Sequence, residues 1–114
     1  MDEARLPAQL EVGALLRRVQ GEGGFAAVLR KGEADAGTIL VVLVENGADA
    51  RVFERMPSLE GARSWTLVKQ EDTENKENIS EYLAQRGIYD ADLWIIELDI
   101  ANGERFIGLI PPPA

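Results

Sequence analysis

Apolar residues recur at Val12, Leu15, Leu16 and Val19, a spacing of three and four that predicts an amphipathic helix over residues 8–20. Arg17 falls on the opposite face of that helix and Arg18 beside the apolar stripe. Gly21, Gly23 and Gly24 then end it, because glycine enters left-handed conformations freely and loses entropy inside a helix. The run Phe25-Ala26-Ala27-Val28-Leu29-Arg30 reads as a strand, Gly32 to Gly37 as a loop, and Thr38 to Val44 as a second strand. That second strand is almost unbroken in its apolar and β-branched residues, which predicts a central position covered on both faces. Asn46-Gly47 is a tight-turn pair, so Arg51 to Arg55 should return antiparallel to it. A turn-like segment from Met56 to Gly61 leads to Ser64–Lys69, whose alternation predicts a fourth strand. Short connections between these four strands favour an antiparallel meander.

The polar stretch from Glu71 to Asn78 has Thr73 as a candidate N-cap for a second helix, with Ile79, Tyr82, Leu83 and Arg86 on one face. Gly87 is expected to stop that helix, with Ile88 folding back onto Leu83. From Leu93 to Ile100, Trp94, Ile96, Leu98 and Ile100 face one way and Ile95, Glu97 and Asp99 the other. Asn102-Gly103 predicts a hairpin into Arg105–Leu109, setting Leu98 opposite Ile107 and Ile96 opposite Leu109. Residues 111–114, opening with Pro111-Pro112-Pro113, form a frayed tail. The fold class expected is α+β: a mainly antiparallel sheet of five to six strands packed against two helices, as a single domain over residues 1–114 with 46% apolar residues to build its core.

Composition narrows the chemistry. There is no cysteine and no histidine, which excludes disulfides, thiolate nucleophiles, Cys/His zinc sites and histidine acid–base catalysis by residue type alone. Catalysis would have to fall to carboxylates, Lys, Arg, Tyr, Thr or one of three serines, so a protein without intrinsic catalysis is favoured and no cofactor is called for. No apolar run approaches the length of a membrane helix, and the start Met1-Asp2-Glu3-Ala4-Arg5 lacks the basic and apolar regions of a secretory signal. The expected location is the cytoplasm. The net charge of −8 disfavours nucleic acid, yet residues 1–68 carry ten acids and eight bases while residues 69–114 carry ten acids and four bases. A local basic patch is therefore confined to the arginine-rich first part.

The stretch from Arg17-Arg18 to Val41, RRVQGEGGFAAVLRKGEADAGTILV, together with Trp65 and the later Asp90-Ala91-Asp92-Leu93-Trp94-Ile95-Ile96-Glu97, resembles the bacterial domain of unknown function 1491 family. The likeness covers nearly the whole chain. It implies a short bacterial single-domain protein and names no chemistry.

Four sets of residues are candidates for function. Gly21-Glu22-Gly23-Gly24 has the density of a phosphate loop but follows a helix and precedes a strand, the reverse of the order that aims a helix N-terminus at an anion, so helix termination is the better reading. Glu33 and Asp35, bracketed by Gly32 and Gly37, could offer oxygen ligands to Mg²⁺ or Ca²⁺, but the further acids of a calcium loop are missing and a hairpin loop is favoured. Glu97 and Asp99 share a strand face, with Asp90 and Asp92 upstream. With Asp35 they make the alternative reading of a metal-assisted hydrolase, against the simpler one of a solvated sheet face. Arg17, Arg18 and Arg30 with Trp65 are residue types enriched where partners bind, whereas Trp94 is best explained as core.

These readings converge on a small interaction or regulatory module. Arg17, Arg18, Arg30, Asp35 and Trp65 are its candidate binding residues, and a protein or small molecule is its partner. Nucleic acid and membrane are disfavoured as partners. The short apolar run Phe106–Ile110, if it were an edge strand, would also support a weak homodimer near the carboxy-terminal hairpin.

Overall fold

The computed structural model describes residues 7–57, 63–71 and 77–107. In chain order these form α1 (Ala8–Gly21), β1 (Phe25–Arg30), β2 (Ile39–Glu45), β3 (Ala48–Pro57), β4 (Arg63–Gln70), α2 (Glu77–Tyr89), β5 (Trp94–Asp99) and a single 3₁₀ turn, η1 (Gly103–Phe106). The strands make one five-stranded sheet in the order β1-β5-β2-β3-β4, mostly antiparallel, with the two helices on opposite faces: an α+β fold.

β2 occupies the middle position that its composition predicts. Residues Ile39 to Val44 are all buried, alternating between two cores. On one face Ile39, Val41 and Leu43 pack with Trp94, Ile96 and Leu98 of β5 and with Val12, Leu15 and Val19 of α1. On the other, Leu40, Val42 and Val44 pack with Ile95 and with Ile79 of α2, supported by Tyr82 and Leu83. The turn from β2 to β3 uses Asn46 at φ 54° and Gly47 at φ 77°, the left-handed pair that matches the twist of an antiparallel hairpin.

Four features differ from the sequence expectations. The meander comprises only β2, β3 and β4, because β5 inserts between β1 and β2, parallel to β2 and antiparallel to β1. The reason is burial: Trp94-Ile95-Ile96 is apolar on both faces and must be covered on both, whereas β1, with two alanines, loses less at the rim. α2 runs past Gly87 to Tyr89, and Ile88 points outward, 77% exposed, instead of folding onto Leu83. Gly87 is buried because Arg30 packs over it; an added Cβ would lie 3.2 Å from the guanidinium. The expected hairpin after Asn102-Gly103 is absent over residues 103–107. β5 already has a strand on each side, so the chain turns instead into η1 and drives Phe106 and Ile107 into the α1-side core, 3% and 4% exposed. Phe106 and Ile107 are thus core and not edge strand, and the rest of the run expected to support a homodimer, residues 108–110, lies outside the described residues. Lastly, β3 continues through Pro57, two residues into the expected turn.

Thr73, Leu109 and the proline tail lie outside the described residues. Among the described residues no helix is long and apolar enough to cross a membrane.

Candidate functional site

The loop from Lys31 to Thr38 must bridge one strand width, since β1 and β2 flank β5, and it does so by closing over the start of β5. Gly32 and Gly37 both abut the Asp92 carbonyl so closely that a Cβ would lie 2.2 and 2.3 Å from its oxygen. The Glu33 amide donates to Asp92 O at 3.0 Å, the Trp94 amide to Thr38 O at 2.8 Å, and the Trp94 indole Nε1 to Glu33 O at 2.7 Å. The amides of Ala8 and Gln9 donate to Asp35 O and Ala34 O, which satisfies the start of α1 where Pro7 offers no side-chain cap. The acid that orders the loop is Glu33, whose Oε1 accepts from the amides of Asp35 and Ala36; the Asp35 residue itself is exposed.

Three of the acids near the ends of β5 likewise accept from backbone amides. Both oxygens of Asp99 accept from the turn amides of Asn46 (2.7 Å) and Gly47 (3.0 Å), and Glu45 accepts from the Asn102 amide. Asp90 accepts from the Asp92 amide. Glu97 borders a cleft of about 300 Å³ beneath α2. Asp35 lies at the beginning of β5 and Asp99 at its end, roughly 17 Å of strand apart. The structure does not bring Asp35, Glu97 and Asp99 together, and among the described residues no three acids are grouped to hold a metal ion.

The arginines divide. Arg17 is exposed, with its guanidinium alongside Gly13 on the outer face of α1. Arg30 belongs to the opposite layer, where it packs against Gly87 beside a cleft of about 310 Å³ shared with Leu29, Ser80 and Leu83, and its Nε is buried without a hydrogen-bond partner. Arg18 and Trp65 do meet. They line a cleft of about 340 Å³ between α1, β4 and η1, with Leu15, Phe106 and Ile107 supplying apolar wall and Arg105 its other cation. Arg18 lies 5.3 Å and Arg105 4.2 Å from the centroid of the Phe106 ring, an attraction of positive charge to the ring face. Arg105 is held by Glu22 at 3.0 Å, whereas Arg18 has no carboxylate partner among the described residues. Trp65 is half-buried, packing on the α1-side core while it borders the cleft.

Ion pairs fix the cleft walls. Arg55 of β3 bonds Glu11 of α1, and Arg51 bonds Glu104 of η1. The hydrogen bond from Arg51 holds the Glu104 carboxyl below its ordinary value. On the far face, Arg86 of α2 forks onto both oxygens of Glu54 at 2.9 and 3.1 Å and donates to the Tyr82 hydroxyl, and the Glu54 bond raises the already high arginine pKa. Arg105 and Phe106 are the cleft residues that sequence reasoning misses. Their adjacency to each other was legible, but a strand reading sent them to opposite faces.

Two helices on a five-stranded, mostly antiparallel sheet, with an arginine-lined cleft beside one helix, describe the class of protein. The chain belongs to the DUF1491 family, described as "Protein of unknown function (DUF1491)", whose profile matches residues 6–108. A DUF1491 family protein from Caulobacter crescentus CB15 has a crystal structure at 1.87 Å resolution that is similar with a TM-score of 0.76 and 32% identity, covering 89% of this chain and 94% of that one. Its NMR structure has the same TM-score and identity, over 90% and 92% of the two chains. The solution structure of protein Atu0922 from A. tumefaciens has a TM-score of 0.76 at 27% identity, over 96% of this chain and 98% of that one. No curated protein matches.

Proposed function

We propose that the protein is a small bacterial cytoplasmic interaction or regulatory module that works by binding and not by catalysis, and that the α1–β4–η1 cleft receives an anionic group carried on an apolar body. The observation that carries this reading is the convergence of Arg18 and Arg105 on the Phe106 ring beside Trp65, with Arg18 in no ion pair among the described residues and Glu11, the carboxylate that lines the cleft, held by Arg55. A carboxylate can be forked by a guanidinium while a flat or branched apolar portion lies against Trp65 and Leu15, the pairing of charge and ring that gives arginine and tryptophan their weight in recognition. The missing histidine and cysteine support binding over turnover.

The test is an NMR titration of the labelled protein with arene carboxylates, inorganic phosphate and short peptides ending in an acidic or aromatic residue. The Trp65 indole and Arg18 signals should shift with at least one carboxylate of apolar body, and Arg18→Ala should abolish the shift without unfolding the chain. Saturable metal-dependent turnover of a phosphoester or ester, lost in Asp99→Ala, would sink the proposal, as would shifts that bypass the cleft altogether.

A further inference from the structure

The sheet face covered by α2, opposite the α1–β4–η1 cleft, has openings of its own. A cleft of about 310 Å³ at Arg30 and one of about 300 Å³ at Glu97 share Leu29, Ser80 and Leu83, so they adjoin as one groove beneath α2, from β1 across β5 toward β2. The register shift between Val28 and Arg30 turns Leu29 and Arg30 to this side together. Leu29, Leu83, Ile79 and Ile95 make the walls apolar. Arg30 and Glu97, both half-buried, stand in the groove with opposite charge. The ion pairs among the described residues engage Arg51, Arg55, Arg86 and Arg105 and pass over both of them. The Nε of Arg30 is also buried without an acceptor, so the desolvation of a cationic donor is left without an offset. Glu71, at the far end of the groove, is already occupied by the Ala50 amide.

We propose that this groove binds a free α-amino acid with an apolar side chain. The carboxylate meets the Arg30 guanidinium, the ammonium meets Glu97, and the side chain lies on Leu29 and Leu83. The spacing of the two charges selects this class. Arg30 lies along Gly87 near the end of α2, where an added Cβ would stand 3.2 Å from its guanidinium, whereas Glu97 lines the cleft beside Ile79 and Ser80 near the helix start. Ser80 and Gly87 are seven positions apart, about 10 Å along the helix axis. That gap is too wide for a direct salt bridge and suits two ion contacts with a small zwitterion between them. An apolar carboxylic acid would leave Glu97 unmatched, and an alkylamine would leave Arg30 unmatched; a zwitterion answers both. The volumes stand at the lower end of ligand pockets, roughly 300–1,000 Å³, which fits a molecule of this size.

NMR titration of the full chain with L-leucine and L-phenylalanine tests this, beside 4-methylpentanoate, which lacks the ammonium of leucine, and leucinamide, which lacks its carboxylate. The expected result is saturable shifts of the Ser80, Leu83 and Gly87 amides with at least one amino acid, while the Trp65 indole stays put, so this site and the α1–β4–η1 cleft are judged separately. Each analogue with one charge should bind about tenfold or more weakly than leucine. Arg30→Gln should bring leucine down to the affinity of leucinamide, and Glu97→Gln to that of 4-methylpentanoate, with circular dichroism unchanged; general loosening of the fold would not produce that split. Absence of saturable shifts up to the solubility of both amino acids overturns the proposal, as do shifts centred on Trp65 or analogues that bind as tightly as leucine. So does a double-mutant cycle without ligand in which the stability losses of Arg30→Gln and Glu97→Gln are coupled, since the two side chains would then be each other's partners.

Discussion

The indole Nε1 of Trp94 donates to the main-chain carbonyl of Glu33 at 2.7 Å, joining the first residue of β5 to a loop 61 positions earlier. Trp94 is 3% exposed, so the bond forms where water cannot replace it. Through that loop the same contact reaches α1, whose first amides rest on the carbonyls of Ala34 and Asp35.

Replacing Trp94 with Phe keeps most of the apolar surface and removes only the donor, leaving the Glu33 carbonyl short of a partner. The expected loss of stability is about 1–3 kcal/mol, read from denaturant unfolding. Hydrogen exchange should also accelerate at the Ala8 and Gln9 amides, because the loop that holds them loosens.

Gly32→Ala and Gly37→Ala should each be costly, since the new Cβ would collide with the Asp92 carbonyl and neither backbone can give way without breaking the strand start. A loss on the order of 3 kcal/mol is expected. Gly21→Ala, with open space around it and an ordinary φ, should be neutral or stabilise by about 0.5 kcal/mol, and thermal melts of the three variants side by side distinguish steric from entropic effects.

The fork between Arg86 and Glu54 ties α2 to β3 across partly buried surface, with side chains 25% and 17% exposed. Glu54→Gln retains the shape and one acceptor but loses the charge, and should cost about 1–2 kcal/mol. Arg86→Lys should cost a similar amount, because an ammonium cannot make both bonds and reach Tyr82. Urea midpoints check both.

Glu104 titrates below its ordinary value because of its bond from Arg51. A depressed folded pKa means that the carboxylate contributes stability above the unfolded value of 4.5, and that this contribution is lost as pH falls through the lower folded value. Stability measured from neutral pH down through that window should therefore fall more in the natural protein than in Glu104→Gln, and the difference should vanish in an Arg51→Ala background.

Much of the secondary structure was legible because it rests on local periodicity. The stripe Val12, Leu15, Val19 became the buried face of α1, the run Ile39 to Val44 became a strand covered on both sides, and Asn46-Gly47 became the left-handed turn. Trp94 was readable as core from its alternation with Ile96 and Leu98. For the candidate site the yield was smaller. Arg18 and Trp65 proved neighbours, while Arg17 and Arg30 were sent to separate surfaces, and Arg105 and Phe106 were hidden by a strand reading.

What the sequence by itself determined, then, is which segments are helix or strand, which faces are apolar, the family, and the absence of thiol and imidazole chemistry. Only the tertiary structure decided that β5 lies between β1 and β2, that the glycine-bounded acidic loop closes over it, and that η1 completes a cleft with α1 and β4. The division has a physical cause. Periodicity records how each segment meets water and core within a few residues, whereas strand order is a competition among distant segments for buried positions. Both faces of Trp94-Ile95-Ile96 outbid the alanines of β1 for the interior, and that comparison exists only once the chain is folded.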